Sequence, residues 1–264
     1  MLEFLPTEDV KILENEPLSR HSSMKTGGPV AAFPKNTGAL IKLIRAAEEQ
    51  EVRHVVVGNA SNILFDDRGF GGLVIFTTGL RGIYWGEDTV RAECGASLTA
   101  LSGKAAERGL SGLEFAYGIP GTVGAVLSRE KREHEFSYRS SVYRKTGEVI
   151  LSATLLLTPD AAAAVKARSD ENLRARKEKQ PLEHPNAGSI FKRPQGAFAG
   201  TLIEAAGLKG LRVGGAAVSE KHAGFIVNLG GATTDDVLRL IEAVQTEVFK
   251  QTGVLLEPEV IHIQ

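Results

Sequence analysis

The sequence predicts an α+β protein, and three observations support that fold class. A segment with helical periodicity begins at Thr37, and two short apolar segments, 55–57 and 73–76, follow it, as in a small α+β unit that ends near residue 77. Towards the C-terminus, further segments with helical periodicity are mixed with short apolar segments that predict strands. The 264 residues, 42% of them hydrophobic, are enough for one large domain or for two to three smaller ones.

The first predicted helix begins at Thr37, which can act as its N-cap. Leu40, Leu43, Ile44 and Ala47 follow at spacings of three and four, so they share one face of this helix, and we expect that face to be buried. Further helices are predicted at about 97–108, 160–178 and 199–206.

The last predicted helix is the clearest one, because Thr233 or Thr234 can cap it and Gly253 follows its end. Its apolar stripe, Val237 to Val248, is better explained by core packing than by a cofactor-binding face. Short apolar or alternating segments predict strands at 55–57, 73–76, 90–93, 136–145, 149–157 and 222–228.

The composition excludes several classes of protein. The formal net charge of -1 gives no reason to expect nucleic acid or an anionic membrane as a partner. Cys94 is the single cysteine and the six histidines are scattered, so neither an intrachain disulfide nor a metal site is expected. No apolar segment is as long as a membrane span, and the acidic N-terminus is unlike a signal peptide. We therefore expect a cytoplasmic protein.

Three glycine-rich stretches are candidates for ligand binding: Met24 to Phe33, Gly58 to Gly72 and Gly118 to Gly124. Small residues allow backbone N–H groups to approach an anion closely. Any one stretch is explained equally well by a plain turn, and neither common nucleotide-binding glycine motif is present. Together the three stretches predict a nucleotide-sized ligand that lies across loop tips.

Three polar residues are candidates for chemistry. Ser189 follows Gly188 in a small-residue turn and could be a nucleophile, a phosphate ligand, a proton donor or only a turn residue. Arg139, next to Tyr138, could bind a carboxylate or lie on the surface of an edge strand. Glu259 lies in an apolar segment, where it is either a buried acid with a raised pKa or an exposed carboxylate at the start of a strand.

Taken together, these stretches resemble the UDP-N-acetylenolpyruvoylglucosamine reductase (MurB) family. The similarity extends in family order over nearly the whole chain, from about residue 20 to residue 260. The matching segments are "SSMKTGGPV", "GNASNILFDDRG", "GLSGLEFAYGIPGTVG", "FSYRSS", "QPLEHPNAGSIFKRP", "AGTLIEAAGLKGLRVGGAAVSEKHAGFIVN" and "LEPEV".

The resemblance implies a three-lobed flavoprotein. Residues 1–77 would form the first FAD-binding lobe, 78–178 with 253–264 the second, and 179–252 the substrate-binding lobe. NADPH would reduce FAD, which would then reduce UDP-N-acetylglucosamine enolpyruvate to UDP-N-acetylmuramate in peptidoglycan synthesis. The oligomeric state is not implied.

The resemblance also implies roles for particular residues. Ser189 would be the proton donor, and Arg139 and Glu259 would stabilise the enol intermediate. The residues that match FAD-contacting positions are Thr26, Gly27, Gly28, Gly58, Asn59, Ala60, Ser61, Asn62, Gly118, Ile119, Pro120, Gly121, Thr122 and Gly124. The residues expected to bind the substrate are Tyr138, Lys179, Lys192, Arg193 and Lys209.

The family pattern is interrupted after Gly124. There the family continues through a further glycine, a small-residue segment and a strand hairpin, whereas here "AVLSREKREHEF" leads directly to Ser137 and Tyr138. Either the chain is not contiguous at this point or the protein has a real deletion, which could weaken FAD binding. The deletion leaves one alternative function, a UDP-sugar-binding protein that has lost flavin and activity.

The resemblance also bears on two related groups of enzymes. A different FAD oxidoreductase, acting on an alcohol or a sugar, is disfavoured by the Y-R, N-A-G-S and E-P-E motifs. The tyrosine-bearing insertion of some family members is absent, which indicates the shorter subclass.

Overall fold

The computed structural model describes residues 9–26, 29–125 and 148–264. The chain divides into two compact units. The first consists of Met1–Ile12, Ala32–Asn59 and Val74–Arg174, and the second of Leu13–Ala31, Ala60–Leu73 and Ala175–Gln264. Helices and strands are mixed within both, which confirms the predicted α+β class. The division into three lobes stays a prediction.

The described residues contain five α-helices, and all five were predicted, with ends that differ by a few residues. They are α1 (Thr37–Glu49), α2 (Leu98–Glu107), α3 (Ala162–Lys179), α4 (Ala199–Ala205) and α5 (Thr234–Thr252). The N-cap of α1 is Asn36 and not Thr37, because the Asn36 side chain accepts a hydrogen bond from Ala39 N at 2.8 Å. Thr233 caps α5, and Gly253 ends it in the left-handed conformation that glycine favours.

Fifteen strands lie in the described residues. They are β1 (Val10–Pro17), β2 (Pro29–Pro34), β3 (His54–Val57), β4 (Ile63–Phe65), β5 (Leu73–Phe76), β6 (Ile83–Trp85), β7 (Thr89–Glu93), β8 (Leu110–Ser111), β9 (Ser152–Leu156), β10 (Thr158–Pro159), β11 (Asn186–Ser189), β12 (Arg212–Val213), β13 (Ala216–Val218), β14 (Phe225–Asn228) and β15 (Ile261–Ile263). The strand predicted at 136–145 lies outside the described residues. A four-stranded sheet has the order β1-β2-β5-β3.

In the first unit, an antiparallel sheet of order β6-β7-β9 packs near α2. Val90 and Ala92 of β7 and Leu101 of α2 are buried in one apolar cluster, which Val123 of the Gly118–Gly124 stretch joins. That stretch is therefore held against the core of this unit.

In the second unit, an antiparallel sheet of order β11-β14-β13-β12 packs against α5. The apolar stripe of α5 is buried with Ile190, Phe191 and Ile226, which confirms that the stripe is core. The same unit pairs β15 with β4 in parallel, joining Ile261–Ile263 to Ile63–Phe65. The C-terminal strand thus pairs with β4, the strand that begins directly after Asn62.

Candidate active site

Ser189 is the last residue of β11 and not part of a free turn. It is opposite Phe225 of β14, and the register shifts between Asn186 and Ser189, as in a β-bulge. Gly188, with φ +76°, supplies the left-handed residue that this irregularity needs, and its N–H donates to the Asn186 side chain at 3.0 Å. The Ser189 hydroxyl donates to the carbonyl of Phe191 at 3.3 Å and is half-buried.

The segment that carries Glu259 lies antiparallel to the chain just after Ser189. Glu259 N donates to Ile190 O at 2.7 Å, and Phe191 forms a bridge with Pro258. The residue is 9% exposed, as expected for the buried acid of the sequence analysis. Two predicted catalytic residues are therefore carried by neighbouring backbone segments within one unit.

Asn62, predicted to contact FAD, binds the same segment from its other side. Its side-chain amide donates to Glu259 O at 3.2 Å, and its own carbonyl accepts from Ile261 N at 3.0 Å. The backbone of Glu259 is thus hydrogen-bonded through both its N–H and its C=O. Any movement of the Asn62 loop is expected to move the carboxylate.

His222 is close to Ser189 and was not predicted, because the histidines were considered only as metal ligands. A Cβ atom built on Gly224 would lie 2.9 Å from the His222 ring and 3.6 Å from Ser189 Oγ. His222 Nδ1 accepts from Gly224 N at 3.1 Å, so in the neutral ring Nε2 carries the proton and is a donor. Gly200 and Gly224 both leave room for the ring, and the H-A-G sequence was the available signal.

Most of the predicted substrate-binding cations in this unit already have partners. Lys192 forms an ion pair with Glu257, and Lys209 forms one with Glu204 at 2.6 Å. Arg193 stacks over the Phe198 ring at 4.0 Å. Lys179 is the exposed last residue of α3. Four predicted site residues, Gly27, Gly28, Tyr138 and Arg139, lie outside the described residues.

In the first unit, the ends of two glycine-rich stretches meet. A Cβ atom on Gly58 would collide with the Thr122 hydroxyl, and Asn59 donates to Pro120 O at 2.9 Å. Thr122 is buried, and its Oγ1 has no hydrogen-bond partner among the described residues. A buried hydroxyl without a partner is costly unless a ligand satisfies it. Gly58 and Thr122 therefore fit a hydrogen-bonding, phosphate-bearing cofactor such as FAD.

The Gly118–Gly121 part of this loop is held by hydrogen bonds to the first residues of α2. Thr99 Oγ1 donates to Ile119 O at 3.1 Å and accepts from Gly118 N at 3.2 Å. Leu98 N donates to Gly121 O at 3.2 Å, and Gly124 N donates to Cys94 O at 2.9 Å. The loop is thus ordered by its own unit, as a preformed ligand site requires.

The second unit contains the remaining described candidates for the cofactor. Thr26 is buried, and its Oγ1 also has no hydrogen-bond partner among the described residues. Ala60 has φ +46°, a left-handed conformation that costs energy for a residue with a side chain. Its carbonyl accepts from Ser23 N at 3.5 Å, and the adjacent Ser61 is half-buried. Strain at Ala60 is the kind of feature that persists where a loop is shaped for binding.

Two other features are absent from the part of the chain that the structure describes. Within the described ranges, no group of three or more His, Cys, Asp or Glu residues could hold a metal ion. In the same ranges, no helix is long and apolar enough to span a membrane.

Comparison with known proteins decides the family. Residues 29–163 match the FAD binding domain family, and residues 180–263 match the UDP-N-acetylenolpyruvoylglucosamine reductase C-terminal domain family. The UDP-N-acetylenolpyruvoylglucosamine reductase of Caldicellulosiruptor bescii is 40% identical over 291 positions, covering 97% of this chain and 92% of that protein. The corresponding protein of Lactobacillus johnsonii is 43% identical over 288 positions, covering 97% and 96%. This chain belongs to the UDP-N-acetylenolpyruvoylglucosamine reductase family.

A solved structure of this reductase family has the same fold. The crystal structure of UDP-N-acetylenolpyruvylglucosamine reductase (MurB) from Thermus caldophilus superimposes with a TM-score of 0.81 at 31% identity. The superposition covers 97% of this chain and all of that one. The MurB-like α+β fold expected from the sequence is confirmed.

The relatives in this reductase family are longer over the aligned region than this chain. Their alignments with this chain run over 291 and 288 positions, more than the 264 residues present here, so these relatives carry residues that have no counterpart. This difference agrees with the interruption predicted after Gly124. The FAD binding domain match nevertheless includes Gly58 and Gly118 to Gly124, which does not favour the flavin-free alternative.

Proposed function

We propose that this protein is an FAD-dependent oxidoreductase that uses NADPH to reduce UDP-N-acetylglucosamine enolpyruvate to UDP-N-acetylmuramate. The reaction belongs to peptidoglycan synthesis and so to cell-wall biogenesis, cell shape and division. Family membership over nearly the whole chain supports the overall reaction. The observation that carries the proposal at the site is the pairing of the Ser189 strand with the Glu259 segment.

The proposed FAD ligands are the glycine-rich residues of the sequence analysis. Gly58 and Gly118 to Gly124 allow close approach of the cofactor, and Thr122 Oγ1 supplies a buried hydroxyl for it. Thr26, Gly27, Gly28 and the Ala60 to Asn62 segment complete the proposed set. When bound, FAD supplies hydride transfer from NADPH to the enolpyruvyl double bond.

Ser189 is the proposed proton donor. Reduction at the carbon β to the substrate carboxylate leaves negative charge on the α carbon, which then needs a proton. The Ser189 hydroxyl carries such a proton and donates it in a hydrogen bond to the Phe191 carbonyl. A hydroxyl is a weak acid, but a strongly basic carbanion is a sufficient acceptor. The serine therefore needs no histidine–carboxylate pair, because it does not act as a nucleophile.

Arg139 and Glu259 are proposed to stabilise the enol form of the substrate. The Arg139 guanidinium offers paired donors for the substrate carboxylate. Glu259 has its backbone held by Ile190 and Asn62, so its carboxyl group is carried on a rigid segment. Tyr138, Lys179, Arg193 and Lys209 are proposed to bind the remainder of the UDP-sugar, with Lys192 beside them.

The partners and the cellular location follow from the reaction. The proposed partners are small molecules, the UDP-sugar and NADPH, and no role for nucleic acid is proposed. A cytoplasmic location suits a UDP-sugar and NADPH as substrates, and a single cysteine suits a reducing compartment.

The absorbance of the flavin tests the function. The purified protein is expected to be yellow, and NADPH added without oxygen should bleach the flavin absorbance. Addition of the enolpyruvyl substrate should then restore that absorbance, with formation of UDP-N-acetylmuramate. A colourless protein that still binds the UDP-sugar would instead support the flavin-free alternative.

A further inference from the structure

Lys192 lies three residues after Ser189, and its ammonium group is paired with the Glu257 carboxylate. The backbones of the two residues are also joined, since Lys192 N donates to Glu257 O at 2.8 Å. The adjacent Phe191–Pro258 bridge continues this antiparallel pairing. The contact between the charged groups can therefore break while the two backbones stay in place.

The two side chains differ in exposure. The side chain of Lys192 is 28% exposed, whereas that of Glu257 is 68% exposed. Lys209 and Glu204 show the same asymmetry, at 29% and 59%.

A structural ion pair in the same unit has the reverse arrangement. Arg239 is 57% exposed and its partner Asp236 is 11% exposed. There the carboxylate is the group that the fold encloses, because Asp236 also accepts from the backbone of Thr233 and Gly215. At Lys192 and Lys209 the less exposed side chain of the pair is instead that of the lysine.

The exposure of the two carboxylates has a physical consequence for these pairs. Each lysine side chain is only partly covered, so its ammonium group still gains from a nearby negative charge but does not depend on one particular partner. A carboxylate that is mostly in water forms only a weak pair, because solvent screens the attraction and holding both side chains costs entropy. An anion that carries more charge, or that is fixed by other contacts, can therefore take the carboxylate's place.

We infer that Glu257 is a displaceable counter-ion, which neutralises Lys192 in the free protein and gives it up to an anionic group of the substrate. The inference rests on the proposed function, because the incoming anion belongs to the UDP-sugar. Glu257 then competes with the substrate and lowers its affinity. Lys209 and Glu204 form a second pair in which the carboxylate is the more exposed partner.

Binding to Glu257→Gln tests the inference, with calorimetry on the FAD-loaded protein in the absence of NADPH. We expect the variant to bind the enolpyruvyl substrate about two- to fivefold more tightly than the wild type, the range of an exposed ion pair. UDP-N-acetylglucosamine serves as the second ligand, because it has the pyrophosphate but lacks the enolpyruvyl carboxylate. A gain for both ligands identifies the pyrophosphate as the incoming anion, and a gain for the enolpyruvyl substrate alone identifies the carboxylate.

Two further variants complete the test. Glu247→Gln removes a carboxylate that pairs with Lys250 at 3.7 Å on α5, and we expect no change in affinity. In the double variant Lys192→Met with Glu257→Gln, the gain should disappear, since Lys192 is the group released. The inference is overturned if Glu257→Gln binds neither ligand more tightly, or if the double variant keeps the gain. A wild-type protein that binds neither ligand overturns the proposed function as well.

Discussion

Glu259 donates its backbone N–H to the carbonyl of Ile190 at 2.7 Å, one residue beyond Ser189. The predicted enol-stabilising carboxylate and the predicted proton donor are thus carried by two hydrogen-bonded backbone segments. Asn62 binds the carbonyl of the same Glu259 residue. Because three separate parts of the sequence meet here, substitutions at this network should separate proton transfer from cofactor binding.

Ser189→Ala tests proton donation. The variant should be reduced by NADPH at nearly the wild-type rate, because no substrate proton is needed in that half-reaction. Oxidation of the reduced flavin by the enolpyruvyl substrate should slow by about 10²–10⁴-fold, the usual contribution of a general acid. Stopped-flow absorbance measures both half-reactions.

Ser189→Cys is the matched variant, since it keeps a proton at the same position. It should retain part of the oxidative half-reaction. An alanine variant whose oxidative half-reaction is unchanged, or one in which only KM rises, would contradict the assignment of Ser189 as proton donor.

Gly58→Ala should weaken FAD binding. The added methyl group would collide with Thr122 Oγ1, so the loop or the threonine must shift away from the proposed cofactor position. We expect an FAD Kd at least about tenfold higher, which corresponds to a displacement cost of about 1.4 kcal/mol. Reconstitution of the flavin-free protein, followed by flavin fluorescence, gives this Kd.

Gly71→Ala is the control for that substitution. A Cβ atom at Gly71 meets nothing within 4 Å, so its FAD affinity should equal that of the wild type. Equal affinities of the Gly58 and Gly71 variants would argue against a cofactor role for the Gly58 loop.

Gly224→Ala should impair the oxidative half-reaction. Its methyl group would lie 2.9 Å from the His222 ring, closer than real contacts allow, and 3.6 Å from Ser189 Oγ. The ring must therefore move away, and turnover number is expected to fall more than flavin content. Steady-state kinetics measures the turnover number, and the ratio of flavin absorbance to protein absorbance measures the flavin content.

Gly103→Ala is a suitable comparison for Gly224→Ala. A Cβ atom at Gly103 would lie 3.5 Å from the Tyr117 ring, an ordinary contact, and alanine favours the α2 helix. This variant should keep wild-type turnover. Wild-type kinetics in the Gly224 variant would show that the position of His222 is unimportant to the reaction.

Asp236→Ala should destabilise the second unit. The Asp236 carboxylate accepts from Thr233 N at 3.1 Å and from Gly215 N at 3.2 Å, and both bonds lower its pKa, the bond from Thr233 the most. Loss of this capping box should reduce the free energy of unfolding by about 1–2 kcal/mol. Urea denaturation followed by circular dichroism measures the loss.

Asp235→Ala provides the matched control, because Asp235 occupies the same turn of α5 with an exposed side chain. A change of at most about 0.5 kcal/mol is expected there. Similar losses in the two variants would mean that charge near the helix end, and not the capping box, is the stabilising factor.

The contribution of Asp236 to the free energy of unfolding depends on pH, and the direction of this dependence follows from its lowered pKa. A carboxyl group whose pKa is lowered in the folded state stabilises the protein at pH values above its unfolded pKa. That stability is lost as the pH falls through the lowered value, when the carboxylate is protonated. The stability difference between wild type and Asp236→Ala should therefore shrink under acidic conditions.

Parts of the fold were predictable because their signals are local. The stripe on α5, its Thr233 cap and Gly253 lie within one stretch of sequence, and the structure confirms all three. The α1 cap was predicted one residue too late, because Asn36 and Thr37 are both good caps and backbone geometry decides between them. Ser189 was predicted in a turn, because a bulged strand end contains the same small residues as a turn.

The sequence by itself determined the helices, the apolar core positions and the motif residues, since each depends on neighbours a few positions apart. Only the tertiary structure decided which of these meet. Asn62 and Glu259 are 197 residues apart, Lys192 and Glu257 are 65 apart, and no local pattern links either pair. The position of His222 beside Ser189 likewise depends on the register between β11 and β14. Such contacts are selected by burial and backbone pairing across the whole chain, so they become visible only once the chain is folded.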